Sequence, residues 1–342
     1  MVMTPKRRDV TSLAASFTRL RPFPGAVEAV RKLAADPDTS VGEIACVVEL
    51  DIGVATDLLR IANAPTSALA QKCTSVRHAA TLLGLRRICQ LVESAAAHAF
   101  IETTATDFPE LANRVLAVAG VARMLAHITG VPPDDVFTAA LLHDVGVLLL
   151  VQSEDPFYEG LMDSDVLGAE PSVEDEVALM GFDHASLGAA VVKNWNLPSP
   201  LAQVVGLHHD WEGAVAAGGV VCAMVALVRV ADRLVPVLSS TPNPTLDDLT
   251  PVIASDPAFA HLGLTREELF RSWEGLRKAE DRATLLGEAP PLGALTTPLV
   301  LARARGVEAT QVLTSTGGPP WAILGVVAAA VALGAAVVVL AT

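Results

Sequence analysis

Aromatic residues are scarce in this sequence, and basic residues are outnumbered by acidic ones. Aromatic side chains make up 4% of the 342 residues, so alanine, valine and leucine must fill most of the core. That composition favours closely packed helices. The 24 lysines and arginines face 38 aspartates and glutamates, which gives a net charge of −14. No basic stripe is available to neutralise phosphates, and we therefore expect no nucleic-acid partner.

Cysteines are also few, and none of them forms a recognisable pair. Cys46, Cys73, Cys89 and Cys222 lie too far apart for a C-x-x-C metal motif or a dense disulfide framework. They are predicted to be small, reduced core residues of a cytosolic protein. The first 20 residues lack the apolar stretch of a secretory signal peptide. We expect the bulk of the chain in the cytoplasm.

Strand patterns are missing as well, whereas helical periodicity and helix caps recur along the chain. No segment alternates apolar and polar residues over a useful length, so the predicted fold class is all-α. Ser40 followed by Glu43 is a capping-box pattern, and Gly84 separates two predicted helices. Apolar helices are also predicted around His143-Asp144 and from Val220 to Leu234. The predicted organisation is a polar arm at 1–15, a helical domain at 16–238 divided into 16–109 and 110–238, a helical extension at 239–285, a Pro/Gly-rich linker at 286–320, and an apolar helix at 321–342.

The last 22 residues, Trp321 to Thr342, contain no charged side chain. About 20 helical residues span roughly 30 Å, the thickness of a bilayer core. We therefore predict a single-pass transmembrane tail anchor in the inner (cytoplasmic) membrane, with a buried core helix as the alternative. Gly325 and Ala329 have the small-x-x-x-small spacing that lets two such helices pack. A homo-oligomer is therefore possible.

The segment that most needs a structural explanation is the apolar run that contains His143 and Asp144. Burying two adjacent polar groups costs free energy unless each is hydrogen-bonded, paired or bound to a metal. Candidate partners follow on separate predicted helices: His184, the pair His208-His209, and Asp232. Imidazoles and carboxylates around an open position are the ligands that metal-assisted hydrolysis needs. A lone buried histidine is more often a hydrogen-bonded core residue, so a present and an ancestral metal site both stay open.

The order of these residues resembles the HD-domain phosphohydrolase superfamily, including its HD-GYP branch. The surrounding sequence looks more specifically like an HDOD domain, the mostly regulatory bacterial relative. The segments that carry the resemblance are Arg21 to Pro24, Val47 to Asn63, Val76 to Leu85, Phe137 to Gly146, Gly181 to Pro198, and Leu207 to His209. The resemblance covers residues 16–238. It implies an N-terminal helical subdomain, an HD-like helical subdomain and a role in signal transduction.

One departure from the superfamily pattern affects the site directly. The histidine that opens the HD site aligns with Arg114, which has no lone pair to offer a metal and would repel a divalent cation. The Gly-Tyr-Pro motif of the cyclic-di-GMP phosphodiesterases is also missing after His208-His209. Either Arg114 pairs with Asp144 or Asp232 in place of a metal, or the remaining ligands hold one metal weakly. The resemblance thus implies a degenerate pocket formed by His143, Asp144, His184, His208, His209, Asp232 and Arg114.

Three functions follow from these patterns. The favoured one is a membrane-tethered, non-catalytic HDOD signalling module that binds a protein partner or a small ligand and needs no cofactor. The alternative is a metal-dependent phosphohydrolase or phosphodiesterase acting on a nucleotide or cyclic dinucleotide. It would hold Mn, Fe or Mg through His143, Asp144, His184, His208, His209 and Asp232. A third possibility is a purely structural, oligomerising anchor.

Overall fold

The computed structural model describes residues 9–20, 29–30, 33–36, 38–67, 71–101, 109–153, 158, 172–240 and 245–271. Within these residues all regular secondary structure is helical and there is no strand, which confirms the predicted all-α class. The linker at 286–320, the apolar segment at 321–342 and the end of the extension lie outside the described residues. None of the helices searched within the described part combines the length and the hydrophobicity needed to cross a bilayer.

The described helices fall into three successive groups. The N-terminal part contains α1 (Val10–Ser16), α2 (Val41–Val48), α3 (Ile52–Ala62), a 3-10 turn (Pro65–Ser67) and α4 (Val76–Ile101). The HD-like part contains α5 (Pro109–Thr129), α6 (Pro133–Leu142), α7 (Val145–Gln152), α8 (Val173–Met180), α9 (His184–Asn194), α10 (Ser199–Leu207), α11 (Trp211–Ala217) and α12 (Gly219–Ser240). The extension adds α13 (Leu246–Ala254) and α14 (Pro257–His261).

Two local signals of the sequence correspond to features of the structure. The hydroxyl of Ser40 accepts the backbone N–H of Glu43, and the Glu43 carboxylate accepts the N–H of Ser40, so the predicted capping box is confirmed. Gly84 has φ 71° and ψ 165°, which breaks α4 at the predicted place. A glycine adopts this positive φ without the steric penalty that a Cβ would bring.

Two predicted helix boundaries are wrong. The helix expected to end near Leu234 continues through Pro236 to Ser240, because burial of Leu234 and Val235 favours its continuation despite the hydrogen bond that proline cannot make. The pair His143-Asp144, predicted inside one apolar helix, lies instead at the junction between α6 and α7. Asp144 leaves the helical conformation at φ −99° and ψ 22°. The chain therefore presents this pair at a bend rather than along a helix face.

The core of the HD-like part positions this bend against the helix that begins at His184. Helices α5, α6, α10 and α12 pack on one another, and α9 packs against both α7 and α10. At Gly146 a Cβ atom would lie 2.1 Å from the carbonyl oxygen of His184, so no side chain fits there. The backbone of α7 and the first residue of α9 are therefore in direct contact, and Asp144 lies beside His184.

Candidate metal centre

The carboxylate of Asp144 divides the pocket into two halves. Asp144 precedes α7 but does not cap it, unlike Asp51 and Asp183, which cap α3 and α9. Its side chain is turned into the pocket and the residue is 3% exposed. Oδ1 lies 3.5 Å from Nε2 of both His184 and His208. Oδ2 faces the opposite half, which contains Arg114, His143 and Asp232. We call these halves the histidine side and the arginine side.

The histidine side brings three imidazoles and one carboxylate to a single point. His184 is the first residue of α9, whereas His208 and His209 directly follow α10. Nε2 of His184 lies 3.3 Å from Nε2 of His208 and 3.0 Å from Nε2 of His209. Together with Asp144, the four candidate ligand atoms lie within 4.8 Å of one another. Three nitrogens and one oxygen at this spacing form a donor set for one small metal ion.

Hydrogen bonds at Nδ1 fix two of these rings with Nε2 directed inward. Nδ1 of His208 lies 2.7 Å from the carbonyl oxygen of Val205, and Nδ1 of His184 lies 2.8 Å from Oε2 of Glu176. A carbonyl only accepts, so the His208 proton is on Nδ1 and the lone pair of Nε2 faces the cluster. Glu176 is fully buried and also accepts the backbone N–H of His184 at 2.8 Å. Such carboxylate–histidine pairs commonly orient metal ligands.

Protonation also differs among the three rings. Burial would lower the pKa of His184, but the hydrogen bond to Glu176 and the charge of Asp144 raise it to about 9. Burial lowers the pKa of His208. His209 is exposed as a whole residue, but desolvation of its ring and then the neighbouring His208 and His184 lower its pKa. At neutral pH the proton on Nε2 of His184 thus faces two unprotonated nitrogens, and metal binding requires its loss.

The arginine side is neutralised by side chains of the protein itself. Nη2 of Arg114 lies 2.6 Å from Oδ1 of Asp232, and Nη1 lies 3.2 Å from Oδ2 of Asp144. His143 donates Nδ1–H to the carbonyl oxygen of Ala140. Its buried Nε2 lies at ion-pair distance, 3.0 Å, from Oδ2 of Asp144, without a hydrogen-bond partner of good geometry among the described residues.

The charges of this half reinforce one another. Burial opposes protonation of His143, but the charge of Asp144 outweighs it and raises the pKa of His143. Burial would likewise raise the pKa of Asp144, yet the facing charge of His143 holds it well below its usual range. Asp144 therefore stays ionised, and Arg114 supplies a permanent positive charge between it and Asp232. The guanidinium occupies the place where a cation would otherwise balance these two carboxylates.

Comparisons with known proteins give this architecture a family. The sequence matches the HDOD domain family over residues 20–211, more than half of the chain. The chain belongs to the HDOD family. An uncharacterised protein of Treponema pallidum (strain Nichols) is 24% identical to this HDOD protein over 214 residues, which are 61% of this chain and 41% of that relative. The match thus spans less than half of the relative's length.

Two solved structures share the fold of this HDOD protein. The response regulator MmoQ of Methylococcus capsulatus is 22% identical, with a TM-score of 0.56 over 74% of this chain and 97% of MmoQ. A virulence factor of Campylobacter jejuni is 17% identical, with a TM-score of 0.57 over 77% of this chain and 94% of its own. At these identities the likeness extends to the fold alone.

All seven side chains that the sequence placed in the pocket of this HDOD protein lie within it. Four of them converge on the histidine side, at the spacing of ligands around one metal ion, and the other three form the arginine side. Arg114 contacts both carboxylates rather than one of them. Sequence reasoning missed Glu176, which follows two exposed acidic residues in the first turn of α8 and resembles an ordinary helix-dipole interaction. It also missed Arg229, which contacts the carbonyl of His208.

Proposed function

We propose that this HDOD protein is a regulatory module that binds one transition-metal ion on the histidine side and hydrolyses no phosphoester. Asp144, His184, His208 and His209 would hold the ion, and Glu176 would orient His184. A bound ion supplies Lewis acidity and a fixed positive charge at that point. The fold shared with a protein described as a response regulator supports a role in signalling through a protein partner.

The observation that carries this proposal is the double ion pair of Arg114. Hydrolysis by a two-metal site uses cations roughly 4 Å apart to stabilise both the attacking and the leaving oxygen. Here the second cationic position holds a guanidinium that bridges Asp144 and Asp232. A guanidinium has no open coordination position and cannot deliver a bound water. The pocket is therefore suited to hold a metal and not to complete a two-metal reaction.

The set of ligand atoms also limits which metal ions suit the site. Three imidazole nitrogens suit Fe or Zn better than Mn or Mg, which prefer oxygen ligands, and Mg also demands near-octahedral geometry. The phosphohydrolase alternative predicted from the sequence would hold Mn, Fe or Mg. We propose that Mg is the least suitable of these three metals. The expectation that no cofactor is needed stays a prediction, and the metal titration below tests it.

We expect the purified full chain to bind about one equivalent of Co²⁺ or Zn²⁺. His184→Ala removes one of the ligands, and we expect the affinity to fall by more than the 10–100-fold that an outer-shell change costs. His127→Ala is the matched control, because His127 lies on the exposed surface of α5 away from the pocket. Metal content is measured by mass spectrometry, and hydrolysis is assayed with a generic phosphodiester and with cyclic dinucleotides.

The outcomes separate the two candidate functions. One bound metal without turnover supports the regulatory module. Turnover that needs the metal and disappears in His184→Ala would establish the phosphohydrolase. The observation in favour of that alternative is the convergence of four possible metal ligands. If neither Co²⁺ nor Zn²⁺ binds and His184→Ala behaves as the wild type, the metal site is rejected.

We also propose that residues 321–342 attach the protein to the cytoplasmic membrane, with the helical domain in the cytoplasm. The support is the uncharged apolar composition of this segment. We expect the full chain to stay in the membrane pellet after alkaline carbonate extraction, and a variant ending at residue 318 to move to the soluble fraction. Release of the full chain by carbonate would reject a spanning anchor. Cross-linking of the two forms tests whether the same segment produces a homo-oligomer.

A further inference from the structure

Arg229 connects the histidine side of the pocket to the helical extension. It lies on α12, and its Nη1 donates to the carbonyl oxygen of His208 at 2.8 Å. Its Nη2 donates to Oδ2 of Asp256 at 3.0 Å. Asp256 is 4% exposed and also caps α14 by accepting the N–H of Ala258. A single guanidinium therefore bridges the end of α10 and the start of α14.

The carbonyl that Arg229 contacts belongs to the peptide between two adjacent ligands. Carbonyl groups at the end of a helix have no partner within the helix, so their direction depends on what they contact outside it. The His208–His209 peptide links the two rings, and rotation of its plane would move Nε2 of one ring relative to the other. The distances of 3.3 and 3.0 Å to Nε2 of His184 depend on that relation. A charged donor on the His208 carbonyl therefore restricts both rings.

The extension holds Arg229 in place. Helices α13 and α14 both pack against α12. Oδ2 of Asp256 also forms an ion pair with Nε of Arg233, 2.6 Å away. These residues follow the segment that matches the HDOD family, which ends at residue 211. The ligand pair His208-His209 is thus supported by a part of the chain outside the family match.

We propose that Arg229 is a positioning residue of the metal centre and that the extension, through Asp256, holds it against the His208 carbonyl. This inference rests on the proposed metal site. Removal of Arg229 leaves all four ligands in the chain but frees the peptide that relates two of them. The metal then binds more weakly and in an altered ligand geometry.

The test compares Arg229→Met with Arg233→Met in the full chain. Both variants remove one ion pair to Asp256. Arg233, however, is 47% exposed, and its described ion pair is with Asp256 and does not involve the His208 carbonyl. Co²⁺ titration reports affinity, and the visible absorption of the bound ion reports its ligand geometry. We expect Arg229→Met to bind Co²⁺ about tenfold more weakly with a changed spectrum, the lower end of the outer-shell range. Arg233→Met keeps the wild-type affinity and spectrum, and Arg229→Lys, which retains a donor, lies between.

Two results overturn the inference. One is a wild-type spectrum and affinity in Arg229→Met, and the other is an equal loss in Arg233→Met, which would indicate a general loosening of α12 and α14. A second measurement needs no metal: long-range ¹H–¹⁵N spectra of the histidine rings in the metal-free protein. We expect Arg229→Met to shift the signals of His208 and His209 and to leave that of the exposed His78 unchanged. If the wild type binds no Co²⁺, the proposed function fails, and these spectra alone decide the positioning role: unshifted signals reject it.

Discussion

Replacing Glu49 with alanine is expected to lower the free energy of unfolding by about 3–5 kcal/mol, the cost of leaving a buried ion pair with one partner. Glu49 is 3% exposed and ends α2. Its Oε1 lies 2.5 Å from Nη2 of Arg123 and 3.1 Å from Nε of Arg77. Arg123 is 1% exposed and its guanidinium lies 3.6 Å from the ring of Phe137. Without Glu49, the carboxylate that these two guanidinium groups still share among the described residues is the half-exposed Asp134.

The buried ion pairs around Glu49 lie between the two parts of the helical domain. Glu49 and Arg77 belong to the N-terminal part, whereas Arg123 and Phe137 belong to helices of the HD-like part. The ion pairs therefore join the two parts through groups that are largely removed from water. Loss of Glu49 should weaken both parts together.

Urea unfolding of three variants tests this account. Arg123→Met should cost about half as much as Glu49→Ala, because Glu49 then keeps Arg77 and no buried charge is left alone. Glu267→Ala is the surface control, because this residue is exposed, and it should cost less than about 0.5 kcal/mol. A lower midpoint at an unchanged denaturant slope identifies a change in stability. A loss below about 1 kcal/mol in Glu49→Ala would contradict the assigned role of this buried network.

The fold could be predicted largely from local patterns. Caps such as Ser40 with Glu43, and the break at Gly84, act over a few residues and are therefore visible in the sequence. The end of α12 was missed because Pro236 is a strong local signal against a helix, whereas the burial that sustains it comes from other helices. Such boundaries depend on tertiary packing, which cannot be inferred from the local patterns of a single sequence.

The site could be predicted in its members but not in its geometry. The pair His143-Asp144 could be assigned to a site from the sequence because polar residues in an apolar run require partners. The bend between α6 and α7 could not be predicted, because both flanking segments are apolar. Glu176 and Arg229 were also hidden, since neither departs from an ordinary helix pattern and both act at long range, on His184 and on the His208 carbonyl. Supporting residues of a site are recognised by their contacts rather than by their type.

Arg114→Met is expected to make the protein dependent on a divalent cation for its stability. The variant keeps most of the side-chain volume and removes the charge that Asp144 and Asp232 share. Because Arg114 is 26% exposed, water screens part of this charge, and we expect a loss of about 2 kcal/mol rather than the 3–5 kcal/mol of a fully buried pair. Arg87→Met is the control, since it removes an exposed arginine of α4 outside the pocket.

Added Co²⁺ or Mn²⁺ should reverse this loss. With Arg114 gone, Oδ2 of Asp144 and Oδ1 of Asp232 are left without the guanidinium, and Nε2 of His143, which lies 3.0 and 3.9 Å from them, can exchange its proton for the metal. A cation present at 100 times its Kd contributes about 2.7 kcal/mol, enough to restore the wild-type midpoint. We expect the metal content of the variant to rise from one equivalent toward two. Thermal unfolding with and without metal, beside metal analysis, measures both effects.

The same variants decide what Arg114 does for function. If the guanidinium stands in for a cation, Arg114→His should accept a second metal as well, because it adds a nitrogen ligand where the charge was. Phosphodiesterase activity gained by Arg114→His would then mean that one side chain separates the proposed regulatory pocket from a hydrolytic one. A metal content of one equivalent in both variants, with no metal-dependent recovery of stability, would mean that the arginine side is a structural ion pair. In that case the proposed lack of turnover would need another cause than a replaced cation.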